Sequence, residues 1–366
     1  MYPHIQWGCF ARSLLKVQRV NETSNAAAKA IYWEYQITVL MHEMTHAFGF
    51  DSNWASNWIN WETNPVSRYP RSSIIADDSG YQTLIHPYIR KFVREYHNCY
   101  SIAGLRLEDA PNGGFHPEAR FYPVEATASF IQDDSRYTNL TLVVLNATGW
   151  WHVNFTYAEP SGFGRVVSCN FFTTSMPLEN SKYSQYCPTS GKVGCTPNGR
   201  SWGPCGKVTN GNLSQIHKMV NAPYGGHSCK FSSSPVSNFQ EEYGMNSRCF
   251  EGDLTFGGPS PNSADHYCLE YTCKLLSSGD YSLTIHVNDV DVLCPGIPTK
   301  DVPAGNYGTV NCPAVQNYCK GTGATYCPRN CMGKGKCNAG KCKCETGWVG
   351  DDCSQRNSST YKYLGY

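Results

Sequence analysis

His42-Glu43-Met44-Thr45-His46 lies inside a helical pattern that runs over residues 25–50. Ala26-Ala27-Ala28-Lys29-Ala30 are strong helix formers, Ser24 or Asn25 offers an N-cap, and Gly49 offers a C-terminal stop. At 3.6 residues per turn, positions four apart share a face, so His42 and His46 can aim their imidazoles at one zinc ion. Glu43 stands beside them, able to take a proton from a zinc-activated water as general base and to deliver it as general acid. The bland alternative is a surface helix with solvated His and Glu.

A catalytic zinc takes three protein ligands and keeps one position open. The short form of the motif would place a third His three residues after Gly49, but that position is Ser52. The ligand must therefore return from further along the chain. His86, His97 and His116 are the nearest histidines, and Glu62 or Glu95 would serve a carboxylate variant. Gly113 and Gly114 permit a tight backbone approach just before His116, which ranks it first by a small margin.

Working outward, the chain has 19 cysteines, spread from Cys9 to Cys353. Thiols stay reduced in the cytosol, so this load predicts a disulfide-bonded protein of the secretory pathway, extracellular or at the cell surface. Sequons at Asn21, Asn139, Asn146, Asn154, Asn212 and Asn357 agree, and mark candidate glycosylation sites. Net charge is +1, which gives no electrostatic footprint for nucleic acid. No apolar run approaches the ~20 residues of a membrane-spanning helix, and the tail at 361–366 is too short and polar for a lipid-anchor signal. The first residues lack the pattern of a signal peptide and the cysteine count is odd. Both are expected if the natural N-terminus lies upstream of Met1.

Short helices are predicted around Tyr88 to Tyr96, a helix or buried strand over Thr138 to Leu145, and a strand over Tyr281 to Val287. From Cys169 the chain turns rich in Cys, Gly, Ser, Asn and Pro, as a loop-heavy, disulfide-rich domain would. Near the C-terminus, Cys327, Cys331, Cys337, Cys342, Cys344 and Cys353 fall in a unit of under 30 residues, with Gly333-Lys334-Gly335-Lys336 before the third. Such a unit cannot build a sufficient core and needs staples. Its spacing resembles an EGF-like module, and that resemblance implies the pairs Cys327–Cys337, Cys331–Cys342 and Cys344–Cys353. No acidic calcium-binding lead is present, so no calcium is expected there.

The stretch from His42 to Phe50 resembles the active helix of the leishmanolysin family of zinc surface proteases, metzincins with a long insertion between the Gly and the third His. The spacing from Gly49 to His116 is similar to that insertion. The run from Cys99 to Glu108 resembles the lead-in to the third ligand, and Gly114-Phe115-His116-Pro117-Glu118 resembles the ligand segment. Gly164 to Cys169, Tyr186-Cys187, Gly194-Cys195, Arg248-Cys249, Cys268 to Cys273 and Asn311-Cys312-Pro313 then follow in family order.

The resemblance covers about residues 20–350. It implies an α+β fold: a metzincin-like zinc protease region at 1–165, a cysteine-rich mixed or β domain at 166–325, the EGF-like module at 326–354 and a polar tail at 355–366. Within the first region it implies a zinc helix at about 25–50, an insertion at 51–115, and the third ligand and turn at 116–130. It further implies a zinc-dependent metalloendopeptidase acting on proteins or peptides, with one zinc held by His42, His46 and His116 and with Glu43 as general base and acid.

Two departures stand against it. The family turns beneath the zinc with a Met, whereas here the matching stretch is Ala126-Thr127-Ala128-Ser129 after Glu125, with one residue deleted. A void or a shifted turn is the expected result. Only 41 residues precede His42, too few for most of the usual upstream sheet. The alternative function is therefore a degenerate or truncated member acting as an adhesion or binding glycoprotein, with cell-surface or matrix ligands.

Overall fold

The computed structural model describes residues 26–172, 193–230, 241–319 and 331–356, with gaps that include 109–114, 119–120, 129–134 and 165–168. Helix α1 (Ala26–Ala47) carries the His-Glu-x-x-His motif in its last turns. Strands β1 (Ile59–Asn60) and β2 (Ser67–Arg68) pair as a small antiparallel ladder. A single helical turn, α2 (Arg71–Ile74), leads into β3 (Ile75–Asp78) and β4 (Tyr81–Leu84). Helix α3 (Pro87–His97) and strand β5 (Leu105–Arg106) follow, and β5 completes an antiparallel sheet in the order β3-β4-β5. Gly104 brings β5 against β4 so closely that a Cβ there would lie 2.0 Å from the Leu84 carbonyl oxygen.

Helix α4 (Asn139–Ala147) resolves the ambiguous 138–145 run as helix. The Thr138 hydroxyl caps it, accepting from the Leu140 amide at 3.1 Å. These elements enclose one apolar core, with Phe50, Trp58, Leu84, Ile89, Leu105, Phe121 and Val144 buried in it.

Beyond residue 193 the described chain is nearly all antiparallel strand. Strands β6 (Val193–Cys195), β7 (Ser201–Asn210), β8 (Leu213–Val220) and β9 (His227–Ser228) form one sheet around β7. Strands β10 (Ser247–Leu254), β11 (His266–Leu275), β12 (Tyr281–Val287), β13 (Val290–Cys294), β14 (Thr299–Pro303) and β15 (Gly308–Cys312) form a second, ordered β13-β12-β11-β10-β15-β14. Along β12, Leu283, Ile285 and Val287 are buried, while the residues between them are half-buried, the period of two expected of a strand with one covered face. They pack with Phe250, Leu254, Leu269 and Val310 in a separate core.

Disulfides Cys195–Cys249, Cys229–Cys268, Cys273–Cys319 and Cys294–Cys312 cross-link this region. The last unit holds two hairpin-like pairs, β16 (Gly335–Asn338) with β17 (Lys341–Cys344) and β18 (Trp348–Val349) with β19 (Gln355–Arg356). Cys331 bonds Cys342, and Cys344 bonds Cys353. The pair Cys327–Cys337 lies outside the described side chains. Among the described residues, no helix is long and apolar enough to cross a membrane.

Candidate metal centre

The first two histidines are set by how α1 ends. Gly49, at φ +110°, lets the chain reverse. The Phe50 amide then reaches back to the Thr45 carbonyl (3.2 Å) and the Gly49 amide to the His46 carbonyl (3.0 Å), the paired bonds of a Schellman stop. That reversal presents the Phe50 carbonyl to the His46 Nδ1–H at 2.7 Å. The next two carbonyls at the helix end find indole donors: Trp151 Nε1 donates to Phe48 at 2.7 Å and Trp58 Nε1 to Gly49 at 3.1 Å. No short-range pattern marks Trp151, whose partner lies 103 residues away along the chain.

The third histidine is delivered by the segment between Gly49 and Pro117. Its sheet β3-β4-β5 ends in a strand edge to which residues 115–118 are pinned. The Glu108 amide donates to the His116 carbonyl (2.9 Å), the Glu118 amide donates to the Arg106 carbonyl (3.0 Å), and Leu107 bridges Pro117. Arg106 also pairs with the buried Glu118 carboxylate at 2.9 Å. Phe115, next to His116, meets Phe50 edge-on at 5.2 Å between centroids. One aromatic contact thus ties the residue before His116 to the residue whose carbonyl orients His46.

Beneath α1 runs the turn that lacks the family's Met. The Ala126 carbonyl accepts from His42 Nδ1 at 2.6 Å. The turn is held on both sides, by the Ala126 amide to the Arg136 carbonyl (2.8 Å) and the Arg136 amide to the Val124 carbonyl (2.7 Å). Glu125 is buried and accepts hydroxyl bonds from Thr138 and Thr141 of the α4 start, which fastens the turn to that helix. Burial pushes the Glu125 carboxyl up to about 7, against the opposing pull of those two threonines. Ala126 is fully buried and its carbonyl is aimed at His42.

The three Nε2 atoms converge. His42 to His46 is 3.0 Å, His46 to His116 is 3.1 Å and His42 to His116 is 3.2 Å. Tetrahedral ligands at the ~2.0–2.1 Å zinc–nitrogen distance stand about 3.3 Å apart, so the triangle fits such an ion. The protonation pattern fits as well. With Nδ1–H of His42 and of His46 spent on backbone carbonyls, both Nε2 lone pairs point at the shared centre. Burial pushes His42 below its ordinary value, outweighing the Ala126 bond, which favours the neutral form that a metal requires. His42 is buried whereas His46, His116 and Glu43 are half-buried, so the triangle is reached from one side.

The competing histidines sit elsewhere. His86 caps α3, its Nδ1 accepting from the Tyr88 amide at 3.2 Å, and burial pushes it down to about 3. His97 ends α3 inside the core, with Nδ1–H to the Gly164 carbonyl (2.5 Å) and Nε2 accepting from the Tyr122 hydroxyl (3.0 Å). Burial pushes it down to about 4. Glu62 is exposed after β1, and Glu95 lies on α3. Cys331, Cys342 and Cys353 also lie near one another, but all three are in disulfides.

One sequon needs correction: Asn146 is 4% exposed in the last turn of α4, where the folded chain has no room for a glycan. Asn154 is exposed, Asn139 is half-buried, and Asn21, Asn212 and Asn357 lie outside the described residues.

The three histidines form a group that could hold a metal ion, and comparison with known proteins gives the family. The leishmanolysin family model matches residues 9–236, so the chain belongs to the leishmanolysin family. A teneurin-like EGF domain model matches residues 327–356. The chain is 26% identical to the ciliated left-right organizer metallopeptidase of Danio rerio, over 85% of this chain and 50% of that protein. It is 23% identical to the leishmanolysin homolog of Crithidia fasciculata (79% of this chain, 48% of that protein) and 24% identical to leishmanolysin of Leishmania tropica (77% and 47%). The chain spans about half the length of these relatives.

Proposed function

We propose that this chain carries the centre of a zinc metalloendopeptidase of metzincin type, with His42, His46 and His116 as ligands and Glu43 as general base and then acid. The observation that carries the reading is the convergence of three Nε2 atoms within 3.2 Å, with two of the rings locked by backbone carbonyls. Bound there, a zinc ion would polarise the scissile carbonyl and make water a nucleophile near neutral pH. Glu43 follows His42 on the helix and takes the proton of the attacking water, then hands it to the departing amine. The Ala126 and Phe50 carbonyls hold the Nδ1–H groups of His42 and His46, which leaves the Nε2 lone pair of each ring facing the metal position. The disulfides support an extracellular or cell-surface setting, with protein or peptide substrates.

The test is zinc per chain, by elemental analysis of the oxidised protein after dialysis, together with peptide cleavage. One zinc is expected in both the wild type and Glu43→Ala, with cleavage about 10²–10⁴-fold slower in the variant. A folded protein without zinc, or full cleavage by Glu43→Ala, overturns the assignment. A second reading rests on Ala126 in place of the family's Met. It is a binding glycoprotein with a degenerate centre, and one tight zinc without cleavage would favour it.

A further inference from the structure

The last unit of the chain carries charge that the peptidase reading does not use. Residues 327–356 hold six Lys or Arg (Arg329, Lys334, Lys336, Lys341, Lys343, Arg356) against three acids (Glu345, Asp351, Asp352). That is net +3 in a chain of net +1, so everything outside the unit sums to −2.

The structure sorts part of this charge onto one face. In the β16–β17 ladder Lys336 stands directly opposite Lys343, both exposed. Side chains alternate along a strand, so Cys342 and Cys344, which flank Lys343, turn the other way into their disulfides with Cys331 and Cys353. Like charges directly opposite on a sheet are destabilising, and an acid at either position would relieve the repulsion. Two positions before Lys336, exposed Lys334 lies with its Nζ 5.4 Å from the centroid of the Trp348 ring. Arg356, the cross-strand partner of Trp348, lies 4.9 Å from the same centroid. The unit therefore sets the Lys336–Lys343 pair on one ladder face and Lys334 and Arg356 beside Trp348, with exposed Glu345, whose amide donates to the Lys334 carbonyl, as the described acid near them.

We propose that this face binds a sulfated polysaccharide. A linear chain of sulfate esters matches a row of lysines at strand spacing, about 4.8 Å across the ladder. Trp348 is half-buried and attended by two cations, so it is not presented as a wedge for a bilayer. The ligand would hold the protein on extracellular surfaces without entering the metal centre.

The experiment measures binding of the full oxidised chain to immobilised heparin between 50 and 200 mM NaCl. With four cations engaged at the ~0.7 slope per contact of flexible polyanions, affinity falls by roughly 50-fold over that range. The double variant Lys336→Glu/Lys343→Glu should lose at least half of that slope. Lys336→Gln/Lys343→Gln should lose less, and it keeps the test valid if the charge reversal disturbs folding. Lys274→Glu/Lys300→Glu makes the same charge change at exposed positions of the larger sheet, and should bind as the wild type does. Desulfated heparin should not be retained. Four outcomes overturn the proposal: no heparin binding at 150 mM NaCl, an equal loss in the control variant, equal retention of desulfated heparin, or preferential binding to phosphatidylserine-containing vesicles.

Discussion

Around the metal centre, position is set by hydrogen bonds from side chains to backbone carbonyls over an aromatic core, with Cys99–Cys169 the disulfide described there. From residue 195 onward, six disulfides are described, each with at least one of its cysteines in a strand. The contrast follows from what each region must do. A ligand set needs three rings held in orientation to a fraction of an ångström, which carbonyls at 2.6 and 2.7 Å provide and a cross-link at the chain ends would not. A small sheet or a 30-residue module lacks apolar volume, and a covalent tie lowers the entropy of its unfolded state.

The strongest way to break this contrast is at the third ligand. His116→Ala should lose most of the bound zinc, a larger fall than the roughly 10–100-fold that loss of an outer hydrogen-bond partner costs. His97→Ala should keep its zinc and instead lower stability by about 2–4 kcal/mol, because it leaves a cavity and an unpartnered Tyr122 hydroxyl. Chelator competition and urea unfolding separate the two, and zinc loss in His97→Ala with retention in His116→Ala would reverse the assignment.

Acid should act next, and mainly on the first region. His86 and His97 are held neutral in the fold, at about 3 and about 4, whereas the unfolded chain protonates near 6.5. Their stabilisation is complete above pH 6.5 and is lost as pH falls toward those values, on the order of 3 kcal/mol or more for each. Glu125 works the other way: raised from 4.5 to about 7, its contribution is full below 4.5 and is lost as pH rises to 7. The two histidines outweigh it, so the urea midpoint of the first region should drop between pH 6.5 and 4, and His97→Gln should flatten that drop. A midpoint independent of pH over this window would show that neither ring is buried neutral.

The contrast sharpens with a staple removed. Replacing Cys294 and Cys312, 18 residues apart, by Ala should cost about 3 kcal/mol in the larger sheet while zinc per chain stays the same. The smallest effect is expected at the helix end. Trp151→Phe removes the donor to the Phe48 carbonyl and should cost about 1 kcal/mol, with a modest loss of zinc affinity as the α1 stop loosens. An unchanged melting temperature would mean that water replaces the indole without penalty.

Local features of this protein were readable from its residues. The i, i+4 spacing of His42 and His46 needs only helical geometry, and the alternation in β12 needs only a pleated strand. Gly49 announced the stop at the end of α1, and the density of cysteines announced a stapled C-terminal region. The third position of the triangle was different. His86, His97 and His116 are the same chemical group at comparable distances along the chain, and neither composition nor periodicity separates them.

The sequence alone thus determined a helix with metal-ligand spacing, a cysteine-dense chain and its resemblance to one peptidase family. Tertiary structure decided how His116, which the resemblance had singled out, comes beside the helix, that His86 and His97 serve α3 and the core, and that Asn146 is buried. It also placed the Ala126 carbonyl against His42. The physical reason is that helices and strands are built from contacts a few residues apart. A metal centre is built from contacts such as His42 to His116, 74 residues apart, whose geometry exists only once sheet, turn and helix have packed together.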